Sequence, residues 1–120
     1  MDNKKDIKKH DWGYELIWNS SKTHGGKLLV FEKPGNTNFV FYQSIDKSFF
    51  VNTGEFIFSW IDTESGNIYQ QKLEEGGVFN VLSLTPFSIT CSSNKGSLSE
   101  CNSGDLDEKE YIVIRKEILQ

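Results

Sequence analysis

The chain has 120 residues, 37% of them hydrophobic, with two cysteines and a formal charge of -4 at pH 7. That length builds one core and not two, and the acidic balance supplies no basic face for a nucleic-acid backbone. No apolar run approaches the ~20 residues of a membrane-spanning helix, and the N-terminus lacks the apolar stretch of a secretory signal, so a cytoplasmic chain with no membrane or nucleic-acid partner is expected.

Residues 1–9 carry Lys4, Lys5, Lys8 and Lys9 interrupted by Asp6, which reads as a flexible solvated arm ahead of a single domain at 10–120. Short β-rich runs follow at 14–18, 27–32, 38–43, 49–52, 56–61, 68–73, 78–81, 87–92, 98–101 and 111–115. Turn chemistry separates them, as in His24-Gly25-Gly26, Asn52-Thr53-Gly54 and Glu64-Ser65-Gly66-Asn67. No window of helical length keeps a 3.6-residue period, so the class is all-β, a sandwich or barrel. Residues 102–110 read as an exposed acidic connection. Residues 111–114 are apolar on consecutive positions, which suits a strand buried on both faces, under the barrel or against a second subunit.

The two histidines, His10 and His24, are expected to be solvated turn residues. Cys91 and Cys101 flank a turn at 94–97. A hairpin loop of suitable length would set them opposite each other, but a reducing compartment favours two small thiols over a bridge.

Gly35, Phe41, Gln43, Lys47 and Gly54 stand at the spacing G(x)5HxH(x)3-4E(x)6G, and Gly76, Leu82, Leu84 and Phe87 at the spacing G(x)5PxG(x)2H. In both order and spacing these runs resemble the two motifs of the cupin superfamily. The segment Trp12-Gly13-Tyr14-Glu15-Leu16-Ile17-Trp18 is similar to the entry strand of small single-domain cupins of the type II phosphomannose isomerase-like group. The resemblance implies a cupin-type double-stranded β-helix, that is, a jelly-roll barrel, and a homodimer formed through edge strands. It also implies that a metal would be held at the positions of Phe41, Gln43, Lys47 and Phe87. Two benzyl groups, an amide and an ammonium do not make a transition-metal site, so no metal and no other cofactor is expected.

If Phe41 and Gln43 face the cavity, strand parity adds Phe39 to its lining, and Phe49 and Val51 continue it from Lys47; Ile89 and Cys91 continue it from Phe87. Phe39, Phe41, Gln43, Lys47, Phe49 and Phe87 are thus the candidate ligand-binding residues. An ammonium at Lys47 must reach solvent, pair with an inward carboxylate or meet an anionic ligand. Three functions stay open. The first is a metal-free domain that binds a sugar-like or anionic small molecule. The second is a metal-independent isomerase, epimerase or lyase using Tyr42, Tyr14, Glu55, Glu100 or Lys47, and the third a structural or partner-binding domain whose barrel is filled.

Overall fold

The computed structural model describes residues 6–21, 23–104 and 111–114. The expectations placed on 1–5, 105–110 and 115 lie outside the described residues. In chain order the strands are β1 (Asp6–His10), β2 (Gly13–Ser20), β3 (Gly25–Phe31), β4 (Gly35–Asn36), β5 (Phe39–Tyr42), β6 (Lys47–Thr53), β7 (Phe56–Ile61), β8 (Ile68–Leu73), β9 (Val78–Val81), β10 (Phe87–Cys91), β11 (Gly96–Asn102) and β12 (Tyr111–Ile114). Residues 6–9, expected as an arm, are strand: β1 pairs antiparallel with β2, Asp6 opposite Ile17 and His10 opposite Gly13.

Hydrogen bonds define two sheets, one ordered β1-β2-β3-β11-β6-β9 and the other β12-β5-β10-β7-β8 with β4 beside β10. The all-β class is therefore as expected, and among the described residues the ladders make a double sheet with no strand pairing that joins the two sheets into one barrel. Residue alternation decides which side of each strand faces the other sheet. Lys47, Phe49 and Val51 of β6 are buried while Ser48 and Phe50 are exposed. Gly96, Leu98, Glu100 and Asn102 of β11 are buried in the same rhythm.

Aromatic rings fill the space between the sheets at one end. Phe49 lies 5.5 Å from Phe58, Phe58 4.5 Å from Phe79, and Phe31 5.3 Å from Phe56, each pair joining one sheet to the other. Each such burial stabilises the fold by about 1.5–3 kcal/mol. Cys91 is buried here and Cys101 exposed; both are free thiols, and their strands lie in different sheets, so no hairpin brings them together. Within the chain the last strand is not buried on both faces: β12 is an edge strand on β5, with Ile112 and Val113 exposed, which leaves a second subunit as the alternative that would cover it.

Both motif loops act as ties between strands. Gly54 closes the turn from β6 to β7 at φ 87°, and a Cβ there would lie 2.5 Å from the Lys95 carbonyl oxygen, so the position requires glycine. In the second motif Gly76 N–H donates to the Val51 carbonyl and Val51 N–H to the Gly77 carbonyl, both at 2.9 Å, which seats the start of β9 on β6. Leu84, at the position of the motif's second glycine, adopts φ 67°, and its N–H donates to the Tyr42 carbonyl at 2.7 Å. A left-handed leucine is strained by about 1–2 kcal/mol, so the backbone of the loop persists although its glycine is gone.

Candidate functional site

At the other end the sheets part around a cavity of about 650 Å³. One wall comes from the first sheet. Five strands adjacent in that sheet, β1, β2, β3, β11 and β6, contribute ionisable residues to it, among them His10, Glu15, Lys27, Glu100 and Lys47. They lie on the inward face because they share parity with core residues: Lys27 with Leu29 and Phe31, Glu100 with Leu98, Lys47 with Phe49. The row crosses the sheet diagonally, since Glu100 is directly opposite Lys27 while Lys47 is opposite Asn102.

Every charge in the row has a partner. Lys47 Nζ donates to Glu100 Oε2 at 2.9 Å, and the Lys27 ammonium lies 3.8 Å from the same oxygen. Lys27 Nζ also donates to Glu15 Oε1 at 2.5 Å, and His10 Nε2 hydrogen-bonds Glu15 Oε2. Lys47 and Glu100 are each only 2% exposed in their side chains. Burial alone would push the Glu15 carboxyl up, but the adjoining Lys27 ammonium and the His10 hydrogen bond hold it below the usual carboxylate range. Burial likewise works against the Lys27 ammonium, and the Glu100 and Glu15 carboxylates outweigh it, raising Lys27 well above the ordinary lysine value. Both therefore stay ionised at neutral pH.

The opposite wall is apolar and aromatic: Val40 and Tyr42 from β5, Phe87 and Ile89 from β10, and Val113 from β12. Lys47 Nζ sits 3.8 Å from the centre of the Tyr42 ring, joining the walls by a cation–π contact. Trp12 packs against Phe31 at 4.0 Å and carries the His10 ring stacked on its other side at 4.5 Å. Lys8, Lys33 and Asp11 complete the rim.

Of the candidate residues, Lys47, Phe49 and Phe87 line the cavity, and Phe39, Phe41 and Gln43 do not. The inward pair on β5 is Val40 and Tyr42. Phe41 is instead paired with exposed Ile112, and Phe39 with Ile114, on the outer face. The physical reason is a slip of one residue. The motif allows a spacer of three or four residues before its glutamate position, and counting four back from Lys47 places the histidine positions on Tyr42 and Val40, which leaves four residues and not five between Gly35 and the first of them. Because side chains alternate with period two, one residue exchanges the faces of the whole strand.

His10 was also misplaced. It lies at the end of β1 and lines the cavity, while His24 sits in an exposed turn as expected. Of the outcomes open to Lys47, the structure selects pairing with an inward carboxylate. Glu15, Glu100 and Lys27 had no motif to mark them as a group. The available signal was a charged residue recurring on the buried parity of a strand, as Lys27 does before Leu29 and Phe31 and Glu100 does after Leu98.

The donor set does not fit a metal. At the corrected motif positions stand Val40, Tyr42, Lys47 and Phe87, and the only charged one is an ammonium already bonded to Glu100. A divalent ion there would meet a like charge. Among the described residues no group of three or more His, Cys, Asp or Glu side chains is placed to hold a metal ion.

The sequence matches no family model and no curated protein. Solved structures do match in fold. The capsular polysaccharide assembling protein CapF from Staphylococcus aureus superposes with a TM-score of 0.83 at 8% identity over 95% of this chain and 33% of its own. Oxalate decarboxylase from Bacillus subtilis gives 0.80 at 12% identity over 96% of this chain and 33% of its own. Peruvianin-I, described as a cysteine peptidase from Thevetia peruviana latex, gives 0.68 at 12% identity over 77% of this chain and 56% of its own. The chain thus spans about a third of the first two proteins. Descriptions so different on one scaffold show that activity does not travel with the fold. What the likeness establishes is the fold alone, an all-β double sheet.

Proposed function

We propose that the cavity binds a sugar-like or anionic small molecule, without a metal. The observation that carries this reading is the chain of buried ion pairs Glu15–Lys27–Glu100–Lys47 facing an open volume of about 650 Å³. Buried ion pairs add little net stability compared with apolar residues of the same size, so three linked pairs are costly unless something uses them. Lys27 and Lys47 are offset by Glu15 and Glu100, which leaves the inner wall close to neutral and rich in donors and acceptors, as hydroxyl groups require. Lys8 and Lys33 against Asp11 make the rim positive, suited to an anionic substituent. The sugar class draws further support from the entry-strand likeness to phosphomannose isomerase-like cupins and from CapF, which is described with capsular polysaccharide assembly and with a bound inhibitor, 3-isopropenyl-tropolone. A homodimer is part of the proposal, because β12 leaves Ile112 and Val113 exposed on a sheet edge.

A thermal-shift screen of sugars, sugar phosphates and nucleotide sugars tests the reading. A ligand raises the melting temperature by mass action, and Val40→Phe, which narrows the cavity with a ring and replaces no member of an ion pair, reduces that shift. A flat response to all compounds sinks the proposal and favours a filled structural domain. Light scattering of the purified chain tests the dimer.

A second reading is a metal-independent isomerase, epimerase or lyase acting on a sugar derivative. It is favoured by one specific arrangement: His10, held by the Glu15 carboxylate, on one wall and Tyr42 on the other. An imidazole oriented by a carboxylate suits a general base, and a phenol across the cavity a general acid. Solvent deuterium entering a C–H position of a screened ligand, dependent on His10, distinguishes this from binding alone.

A further inference from the structure

A second cleft lies at the opposite edge of the sandwich, where β8 and β9 end their sheets, with a volume of about 560 Å³. Three rings shape it. Trp60 stands 5.9 Å from Tyr69 and 5.4 Å from Phe79, and Tyr69 is 44% exposed. Around the rings are polar side chains of both hydrogen-bonding senses, among them the Asp62 carboxylate and the amide of Gln71. The carboxylate is held in place, since Asp62 Oδ1 accepts the Glu64 N–H at 2.9 Å.

Among the described residues the lining contains no Lys, Arg or His, and its one charged side chain is Asp62. An anionic ligand would meet repulsion without a counter-charge, and a purely apolar one would strand the carboxylate and amide without partners. A pyranose ring meets neither objection. Its C–H face packs on an aromatic ring and its hydroxyls both donate and accept, matching a carboxylate beside an amide.

We propose that this cleft is a second binding site, for an uncharged hexopyranose end group. The ring of the sugar packs on Tyr69 and Trp60, and its hydroxyls bond Asp62 and Gln71. Nothing in this depends on the main cavity, from which the cleft is separated by the apolar core containing Phe58, Phe79 and Phe49.

The test titrates the methyl glycosides of glucose, galactose, mannose and N-acetylglucosamine into the full chain, followed by backbone amide shifts and tryptophan fluorescence. Saturable shifts at Trp60, Tyr69 and Asp62 with at least one glycoside are expected. Tyr69→Ala, at an exposed position, weakens that binding at least about tenfold, the loss of one stacking ring. Asp62→Asn also weakens it, and Val40→Phe in the main cavity leaves it unchanged. The proposal is overturned if none of the four glycosides gives saturable shifts at these residues, or if the shifts fall on main-cavity residues and weaken in Val40→Phe. It is equally overturned if the cleft is closed by a second copy, seen as a dimer that Tyr69→Ala separates.

Discussion

The two ends of this sandwich are built from the same strands, yet one is packed with rings and the other lined with charge. Along β6 the inward positions run Val51, Phe49, Lys47, and along β11 Leu98, Glu100, Asn102. Along β3 they run Phe31, Leu29, Lys27. Three neighbouring strands thus change from apolar to ionic side chains along their length without changing their pairing. The apolar end alone has the composition that folding requires. The ionic end is tolerated because each charge has a partner, and that difference separates what holds the molecule together from what the molecule presents to a ligand.

Substitutions at the two ends should lower stability for different reasons. Phe58→Ala, at a fully buried ring contacting Phe49 and Phe79, is expected to cost about 3–5 kcal/mol through lost contacts and a cavity. Glu100→Leu is expected to cost about as much, roughly 3–5 kcal/mol, because it leaves the Lys47 ammonium buried without a counter-charge. Denaturant unfolding checks both. A loss below about 1 kcal/mol for Glu100→Leu, the range of exposed pairs, would mean that the charged end is wetter than described.

Acid and alkali should sharpen the contrast. Glu15 titrates below an unfolded carboxylate, so its contribution is complete above the ordinary range near ~4.3 and is lost as pH falls through its folded value. Lys27 titrates above an unfolded lysine, so its contribution is complete below ~10.4 and is lost as pH rises through its folded value. The melting temperature is expected to hold across the neutral range and to fall in acid, with Glu15→Gln showing a shallower acid limb than the wild type. Phe58→Ala should lower the whole curve and leave its shape alone. An acid limb as steep in Glu15→Gln as in the wild type would remove Glu15 from the account.

A smaller effect belongs to neither end. Leu84 holds φ 67° and is 59% exposed, so Leu84→Gly relieves strain of about 1–2 kcal/mol against a glycine entropy cost of about 0.5–1 kcal/mol. A net gain between zero and about 1.5 kcal/mol is expected from these two costs. A loss of stability would show that the leucine side chain makes contacts that outweigh its backbone strain.

Much of the fold was legible because β-rich runs alternate with turn residues; β7, β8 and β9 begin and end where the sequence predicts. β1 was not, because an edge strand reading Asp-Ile-Lys-Lys-His carries charge on both faces and resembles a solvated arm. The exposed face of β12 was hidden for the opposite reason, since apolar residues on both parities announce a buried strand. Of the cavity wall, Lys47 and Phe87 were legible from motif spacing and Phe49 from strand parity with Lys47. The run Phe39-Val40-Phe41-Tyr42 is apolar on both faces and gives no signal of which one turns inward. The charged row was invisible as a unit because its bonds join residues 12 and 53 positions apart, a proximity that only strand pairing creates.

The central claim, that the ionic row is kept for a ligand and not for stability, is tested most directly by the unfolding free energy of the double substitution Lys47→Met with Glu100→Leu. Replacing a buried pair by apolar residues of similar volume is expected to leave stability equal to the wild type or up to about 1–4 kcal/mol higher. A double variant that is no more stable than Glu100→Leu alone would contradict the claim, because the pair would then be holding the fold together in its own right.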